Sequence, residues 1–256
     1  MPRYAANLSM LWPELATPEL RIEAAARAGF AAAEILFVHQ LDRARLRSAL
    51  EEYAVALVLF DADPGDWSAG ERGLLCLPGE DRFRRSVEQA VAHAELLGVG
   101  LINLLAGIPI DDPATAWERS LERLRWATAQ FGGPGLSFVV EAINPTDMPG
   151  YLLGEPARAA RLVWESQAAW LGVQFDAYHA AMVGQDPRAC WVEQAGLVRH
   201  VQIADVPGRH EPGTGTADLT VFLAGLDAEG YTGWVGCEYH PSTPLTENPL
   251  GWLPER

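Results

Sequence analysis

Short apolar runs rich in Val, Ile, Leu and Phe alternate along the chain with longer stretches whose apolar residues recur at helical spacing. The runs predict strands over 3–8, 31–37, 55–60, 99–105, 136–141, 170–176, 198–204 and 233–239. The stretches between them predict helices over 17–28, 42–53, 80–97, 113–130, 155–168, 186–195 and 217–228. Thr17-Pro18, Asp112-Pro113 and Asp186-Pro187 each set a capping residue before a proline suited to a first helical turn. Gly29 and Gly98 stand where two of the helices should stop. Eight strands in 256 residues give one strand per 32 residues, the length of a βα unit. The predicted fold is therefore α/β, a single (β/α)8 TIM barrel over residues 1–256. Pro249 and Pro254 interrupt 245–256, so the last helix is expected to be short or irregular. An open doubly wound sheet is the competing architecture, and the first βα turn has no GxGxxG to support it.

A barrel places substrate-reaching side chains at the C-terminal ends of its strands. Four consecutive strands end in an oxygen-bearing residue: Glu141, Asp176, Gln202 and Glu238, separated by 35, 26 and 36 residues. Strand alternation puts 139 and 141, 174 and 176, 200 and 202, and 236 and 238 on one face. The other face carries Phe138, Val140, Val173, Phe175, Val201, Ile203, Val235 and Cys237, which suit packing against helices. All four polar side chains are then expected to point into one mouth. The bland alternative is a buried polar network tied by Arg. Three converging carboxylates repel without a cation, and an all-oxygen donor set suits Mg²⁺ or Mn²⁺ better than Zn²⁺. The chemistry thus points to one divalent metal, with positions left open for a substrate.

Composition narrows the function. All 19 basic residues are Arg, against 34 acidic ones, for a net charge of −15. Without a single Lys there is no Schiff base, no pyridoxal phosphate attachment and no P-loop lysine. The acidic balance disfavours nucleic acid as a partner. Nowhere do 18 apolar residues run together, so no membrane helix is expected, and Met1–Asn7 lacks the features of a signal peptide. Cys76, Cys190 and Cys237 are odd in number and far apart, as expected of reduced buried thiols in a cytoplasmic protein. Nothing in the chain opposes a homo-oligomer.

Several stretches are similar to those of a known family. They are Ala6-Asn7-Leu8-Ser9-Met10-Leu11, Gly65-Asp66-Trp67-Ser68-Ala69-Gly70-Glu71-Arg72-Gly73, Glu141-Ala142-Ile143-Asn144 and Asp176-Ala177-Tyr178-His179. Gln202-Ile203-Ala204-Asp205, Glu211-Pro212-Gly213-Thr214-Gly215 and Gly233-Trp234-Val235-Gly236-Cys237-Glu238-Tyr239 complete the set. In order and spacing the chain resembles, over essentially its whole length, the hydroxypyruvate isomerase family of xylose-isomerase-like TIM barrels.

The resemblance implies isomerisation of hydroxypyruvate and 2-hydroxy-3-oxopropanoate (tartronate semialdehyde). It implies that Glu141 and Glu238 shuttle a proton between adjacent carbons, and that Glu141, Asp176, Gln202 and Glu238 hold the metal. It also implies that His179 and Arg209 contact substrate oxygens, the guanidinium suiting a substrate carboxylate. The 211–215 loop is either part of the site or only a turn. His200 points inward one layer below Gln202, in packing or support rather than on the metal. Glu34 can reach the mouth but receives no catalytic role. The chain departs from the family at Phe37-Val38-His39, at Asp61 where Asn is usual, and at Ala180-Ala181, positions expected to line the pocket and bear on the substrate. A 2-oxo-tetronate isomerase is the near alternative. A keto-polyol dehydratase, an endonuclease barrel and a non-catalytic binding protein are more distant ones.

Overall fold

The computed structural model describes residues 2–243 and 251–252. Eight parallel strands close into a barrel in sequence order. They are β1 (Arg3–Asn7), β2 (Ala32–Ile35), β3 (Ala56–Asp61), β4 (Leu101–Asn103), β5 (Ser137–Glu141), β6 (Leu171–Asp176), β7 (Val198–Ile203) and β8 (Trp234–Cys237). The helices are α1 (Pro18–Arg27), α2 (Arg43–Tyr53), α3 (Glu80–Leu97), α4 (Pro113–Phe131), α5 (Pro156–Ser166), α6 (Ala177–Met182), α7 (Pro187–Gln194) and α8 (Leu219–Ala228). Every predicted strand is present, and the seven predicted helices correspond to all but α6. The predicted last helix at 245–256 lies, apart from residues 251–252, outside the described residues.

The helix starts follow the capping chemistry. Asp112 accepts from the Thr115 backbone N–H at 2.9 Å and Asp186 from that of Arg188 at 2.9 Å, each with Pro at the first helical position. Gly98 ends α3 with φ of 71°, a left-handed residue that glycine adopts without strain. The additional helix, α6, has six residues, too few for a readable period, and begins directly on the last residue of β6.

Three strands, β2, β4 and β8, are shorter than their apolar runs by three or four residues. β4 stops at Asn103, yet Leu104, Leu105 and Ala106 remain buried because the segment after β3 returns alongside them. There Leu75 and Cys76 donate backbone N–H groups to Leu105 and Ala106 at 3.3 and 2.9 Å. The apolar run therefore measures burial and not ladder length.

The alternation along the strands sorts barrel interior from helix-facing core. Phe138, Val140, Phe175, Val201, Ile203, Val235 and Cys237 are fully buried toward the helices. Phe175, Trp191 and Phe222 form one aromatic cluster there, with ring centroids 5.8 to 6.5 Å apart. All three cysteines are buried and free.

One charge is used purely as a clamp. Arg123 on α4 is buried, and its Nη1 donates to the carbonyls of Leu74, Leu75 and Leu77 at 2.7, 3.1 and 2.6 Å. Its Nε meets Glu80 at 3.0 Å. This fastens the long connection between β3 and α3 beside the barrel mouth. Replacing Arg123 by Met keeps the volume but strands three carbonyl oxygens. The variant should lose about 3 kcal/mol of stability in urea unfolding; an unfolding midpoint equal to the parent's would show that the clamp is dispensable.

Candidate active site

The strand register brings the predicted polar ends together. Asp176 pairs with Gln202, Gln202 with Gly236, and Glu141 with Gln174. Ligand atoms of Glu141, Asp176 and His179 lie within 4.8 Å of one another. Asp176 serves two purposes, because its Oδ1 caps α6 by accepting from the Tyr178 N–H at 2.8 Å while Oδ2 stays with the site. The short helix α6 then carries His179 back over the mouth, its Nε2 3.6 Å from Asp176 Oδ2 and 3.8 Å from Glu141 Oε1.

The protonation of His179 follows from its other nitrogen. The backbone N–H of Asn144 points to Nδ1 at 3.3 Å, and a backbone N–H can only donate. Nδ1 is thus the acceptor. Burial, reinforced by the Arg209 charge, holds the imidazole pKa well below its ordinary value, so the ring is neutral and its proton sits on Nε2. His179 faces the carboxylates as a hydrogen-bond donor, the form suited to a substrate oxygen rather than to a metal.

Arg209 enters from the connection between β7 and α8. Its Nη2 meets Glu238 Oε1 at 2.5 Å and Asp176 Oδ2 at 3.5 Å, and its guanidinium lies 4.7 Å from the Tyr178 ring centre. Arg209 holds φ of 53°, a left-handed conformation costly for a residue with a β-carbon. Its backbone carbonyl is tied down by the His240 N–H at 2.8 Å. Arg209 Nη2 thus bridges Glu238 and Asp176, and Glu238 joins at the mouth the three residues whose ligand atoms lie together. The Glu211–Gly215 loop is a turn built on Asp205, whose carboxylate accepts the N–H groups of Gly213, Gly215 and Ala217 at 2.9, 2.9 and 3.0 Å.

The first four strands contribute polar ends that the four-residue pattern did not include. Asn103 donates to Asp61 Oδ1 at 3.0 Å and Glu141 Oε2 at 3.3 Å, linking β3, β4 and β5. Glu34, on β2, accepts from Asn7, Gln202 and His200 across the barrel. The same alternation rule applied to β1–β4 picks out Asn7, Glu34, Asp61 and Asn103. His200 lies one layer below Gln202, as its parity requires, and bonds to Glu34. Of the departures noted above, Asp61 belongs to this interior network and Ala180 is buried within α6. Phe37 packs on Trp67 and His39 at the rim, with ring centres 5.6 and 5.9 Å apart.

The electrostatics of this mouth are unfavourable to its own charges. Burial raises the Glu141 carboxyl well above the ordinary range, and Glu238, Asp176 and Asp61 add to the shift. Burial also raises Glu238, with Arg209 opposing and Asp176 reinforcing. Asp176 is pushed to about 6 and Asp61 to about 8, again chiefly by burial. Glu238 Oε2 is buried without a hydrogen-bond partner among the described residues. One guanidinium facing three carboxylates, with an unpartnered carboxylate oxygen, fits a cation held by Glu141, Asp176, Gln202 and Glu238.

The sequence pattern of xylose isomerase-like TIM barrels matches residues 22–256. The chain belongs to this family. It is 41% identical over 256 residues to the 2-oxo-tetronate isomerase of Cupriavidus necator, covering 99% of this chain and 98% of that protein. It is 36% identical to the hydroxypyruvate isomerase of Escherichia coli K12, with the same coverage. Full-length similarity of this kind makes the chain an isomerase. Among solved structures, one described as an AP endonuclease, family 2, from Brucella melitensis aligns with a TM-score of 0.94 at 37% identity, covering 98% of each chain. D-psicose 3-epimerase of Clostridium cellulolyticum H10 shares the fold, with a TM-score of 0.76 at 19% identity over 93% of this chain and 85% of that one. No helix among the described residues is long and apolar enough to cross a membrane.

The buried Asp61 makes a pH test of the site's charge. Its pKa rises from 3.8 to about 8 on folding, so the folded protein holds a proton that the unfolded chain releases. That contribution to stability is present below pH 4 and is lost as pH rises through 8. In chelator-treated protein, Asp61→Asn should gain melting temperature relative to the parent progressively from pH 5 to pH 8.5, by about 2–4 °C per kcal/mol relieved. A difference independent of pH would remove Asp61 from the charge balance.

Proposed function

We propose that this barrel interconverts hydroxypyruvate and 2-hydroxy-3-oxopropanoate by moving a proton between adjacent carbons, with Glu141 and Glu238 as the two proton carriers and a divalent ion, Mg²⁺ or Mn²⁺, in the mouth. The observation that carries the reading is the pair of buried glutamates on β5 and after β8, both with raised pKa values. A buried carboxyl whose pKa is raised above the ordinary range is a stronger base than a solvated one, as a proton carrier requires.

The chemistry balances within the substrate. One glutamate removes a proton from the hydroxymethyl carbon, and the electron pair moves to give an enediolate across the two carbons. The other glutamate delivers a proton to the former carbonyl carbon, and proton exchange with solvent returns both carboxyls to their starting states. A hydroxyl proton passes from the first oxygen to the second, leaving an aldehyde beside a secondary alcohol. No σ bond to carbon other than C–H forms or breaks, the carbonyl π bond moves to the neighbouring carbon, and no external oxidant is needed. A bound divalent cation would supply charge stabilisation for the two oxygens as negative charge develops. The Nε2–H of His179 would donate to one of those oxygens. Arg209 offers a guanidinium for the substrate carboxylate, which requires it to share or release Glu238. Exclusion of water by the buried mouth strengthens each of these interactions.

A four-carbon substrate is the second reading, favoured by the 41% identity to a 2-oxo-tetronate isomerase. The sequence departures at Phe37 and His39 lie on the rim, where Phe37 packs on Trp67. Phosphodiester cleavage, the activity that names the Brucella protein, fits poorly with a net charge of −15.

Chelation should abolish isomerisation and added Mg²⁺ or Mn²⁺ should restore it; undiminished turnover in chelator would refute the metal. With metal present, kcat/KM for hydroxypyruvate against 2-oxo-tetronates ranks the two readings, and the three-carbon acid is expected to win.

Glu141→Gln and Glu238→Gln should each lower turnover by about 10²–10⁴-fold. In heavy water the variant that keeps the abstracting glutamate should still exchange the substrate's C–H while forming no product. Near-parental turnover in either variant would exclude that glutamate from proton transfer.

A further inference from the structure

Glu34 has no part in the proton transfer above, yet it lies at the centre of a directional network beneath the site. Its Oε1 accepts from Asn7 Nδ2 at 3.0 Å and from Gln202 Nε2 at 3.0 Å, and its Oε2 contacts His200 Nε2 at 2.7 Å. All four residues are buried. A carboxylate accepts and does not donate, so each partner must turn a donor toward it. For Asn7 the same orientation is required independently, because its Oδ1 accepts the Ser9 backbone N–H at 3.0 Å. For Gln202 the consequence concerns the metal. Its amide nitrogen is committed to Glu34, which leaves Oε1 on the side of β6, the strand that ends in Asp176. There Oε1 accepts from Gln174 Nε2 at 2.6 Å, which uses one of its two lone pairs. The polarity runs on to Gln174, whose own Oε1 is buried without a partner among the described residues.

Strands β1 and β8 lie between β2 and β7, and Glu34 reaches across them because β8 has room. Gly236 on β8 pairs with Gln202 on one side and Ala5 on the other. A β-carbon on Gly236 would lie 2.4 Å from both Glu34 carboxylate oxygens. The backbone of Gly236 is not in the left-handed region, so what demands glycine there is the passage of this carboxylate.

We propose that Glu34 is a positioning residue that fixes the Gln202 amide with its oxygen toward the metal site, and that Gly236 is the slot through which it acts. An amide that could turn over would present NH₂ groups to a cation half the time. Glu34 removes that choice, so Gln202 behaves as an oxygen donor although its side chain carries both atoms. This inference rests on the metal reading above, and its test separates the two.

The readout is calorimetric binding of Mn²⁺ alone to chelator-stripped protein, with melting temperature as the check on folding. Glu34→Gln keeps shape but lets either amide face the other, and should weaken Mn²⁺ binding by about 10–100-fold. The exchanged pair Glu34→Gln with Gln202→Glu conserves charge and restores a donor facing an acceptor. Because both outer atoms of the new Glu are oxygens, binding should return to within a few-fold of the parent. Gly236→Ala changes no polar group but pushes the Glu34 carboxylate from its slot, and should weaken Mn²⁺ binding as Glu34→Gln does. Parental Mn²⁺ affinity in Glu34→Gln or in Gly236→Ala would overturn the positioning role. An exchanged pair as weak as Glu34→Gln would overturn it too, since Glu34 would then act by packing alone. A parent protein that binds no Mn²⁺ would instead overturn the metal reading itself, and with it the premise of this inference.

Discussion

Glu141, Asp176 and Glu238 meet in a mouth that one guanidinium enters, and much of the surrounding structure answers to that imbalance of charge. Burial lifts all three carboxyls above their ordinary range, so the protein alone holds them in a state that stores unfavourable free energy. Arg209 offsets part of it at the expense of a left-handed backbone. The remainder is a charge imbalance that a bound cation would relieve. Stability and chemistry are in tension at the same atoms, as expected where a site is organised for function.

Around this charge the protein orients neutral groups by placing one-way donors and acceptors behind them. A backbone N–H settles the tautomer of His179, and another settles the amide of Asn7. A carboxylate settles the amide of Gln202. In each case the partner can play only one role, so the group in front of it has one orientation left. Such control comes from the interior below the mouth, where small residues such as Gly236 let a side chain cross from one strand to another.

The fold was legible because its two signals are long and redundant. Alternation of period two assigned Phe138, Phe175 and Cys237 to the helix side and Glu141, Asp176 and Gln202 to the interior, and the structure follows it. Proline after a capping Asp located α4 and α7. The helix α6 was not legible, since six residues show no period and Asp176 was already read as a site residue, though it is also the cap. Asn103 carries no signal of its own for a related reason, because Asn at a strand end is also an ordinary turn former. Glu34 was read as reaching the mouth, but its bonds to β1 and β7 depend on a crossing that no local pattern expresses.

Sequence alone determined which residues face the barrel interior and at which end, because strand periodicity and βα spacing are local properties repeated eight times. It also excluded side-chain amine chemistry, since a chain without lysine has no side-chain amine from which to form an iminium. Tertiary structure decided which polar groups pair. Arg209 joins Glu238 and Asp176, His179 returns over Glu141, and Glu34 crosses Gly236 to Gln202. Those pairings join residues from 29 to 168 positions apart, and they depend on barrel closure, burial and the direction of each hydrogen bond, none of which is carried by a neighbouring residue.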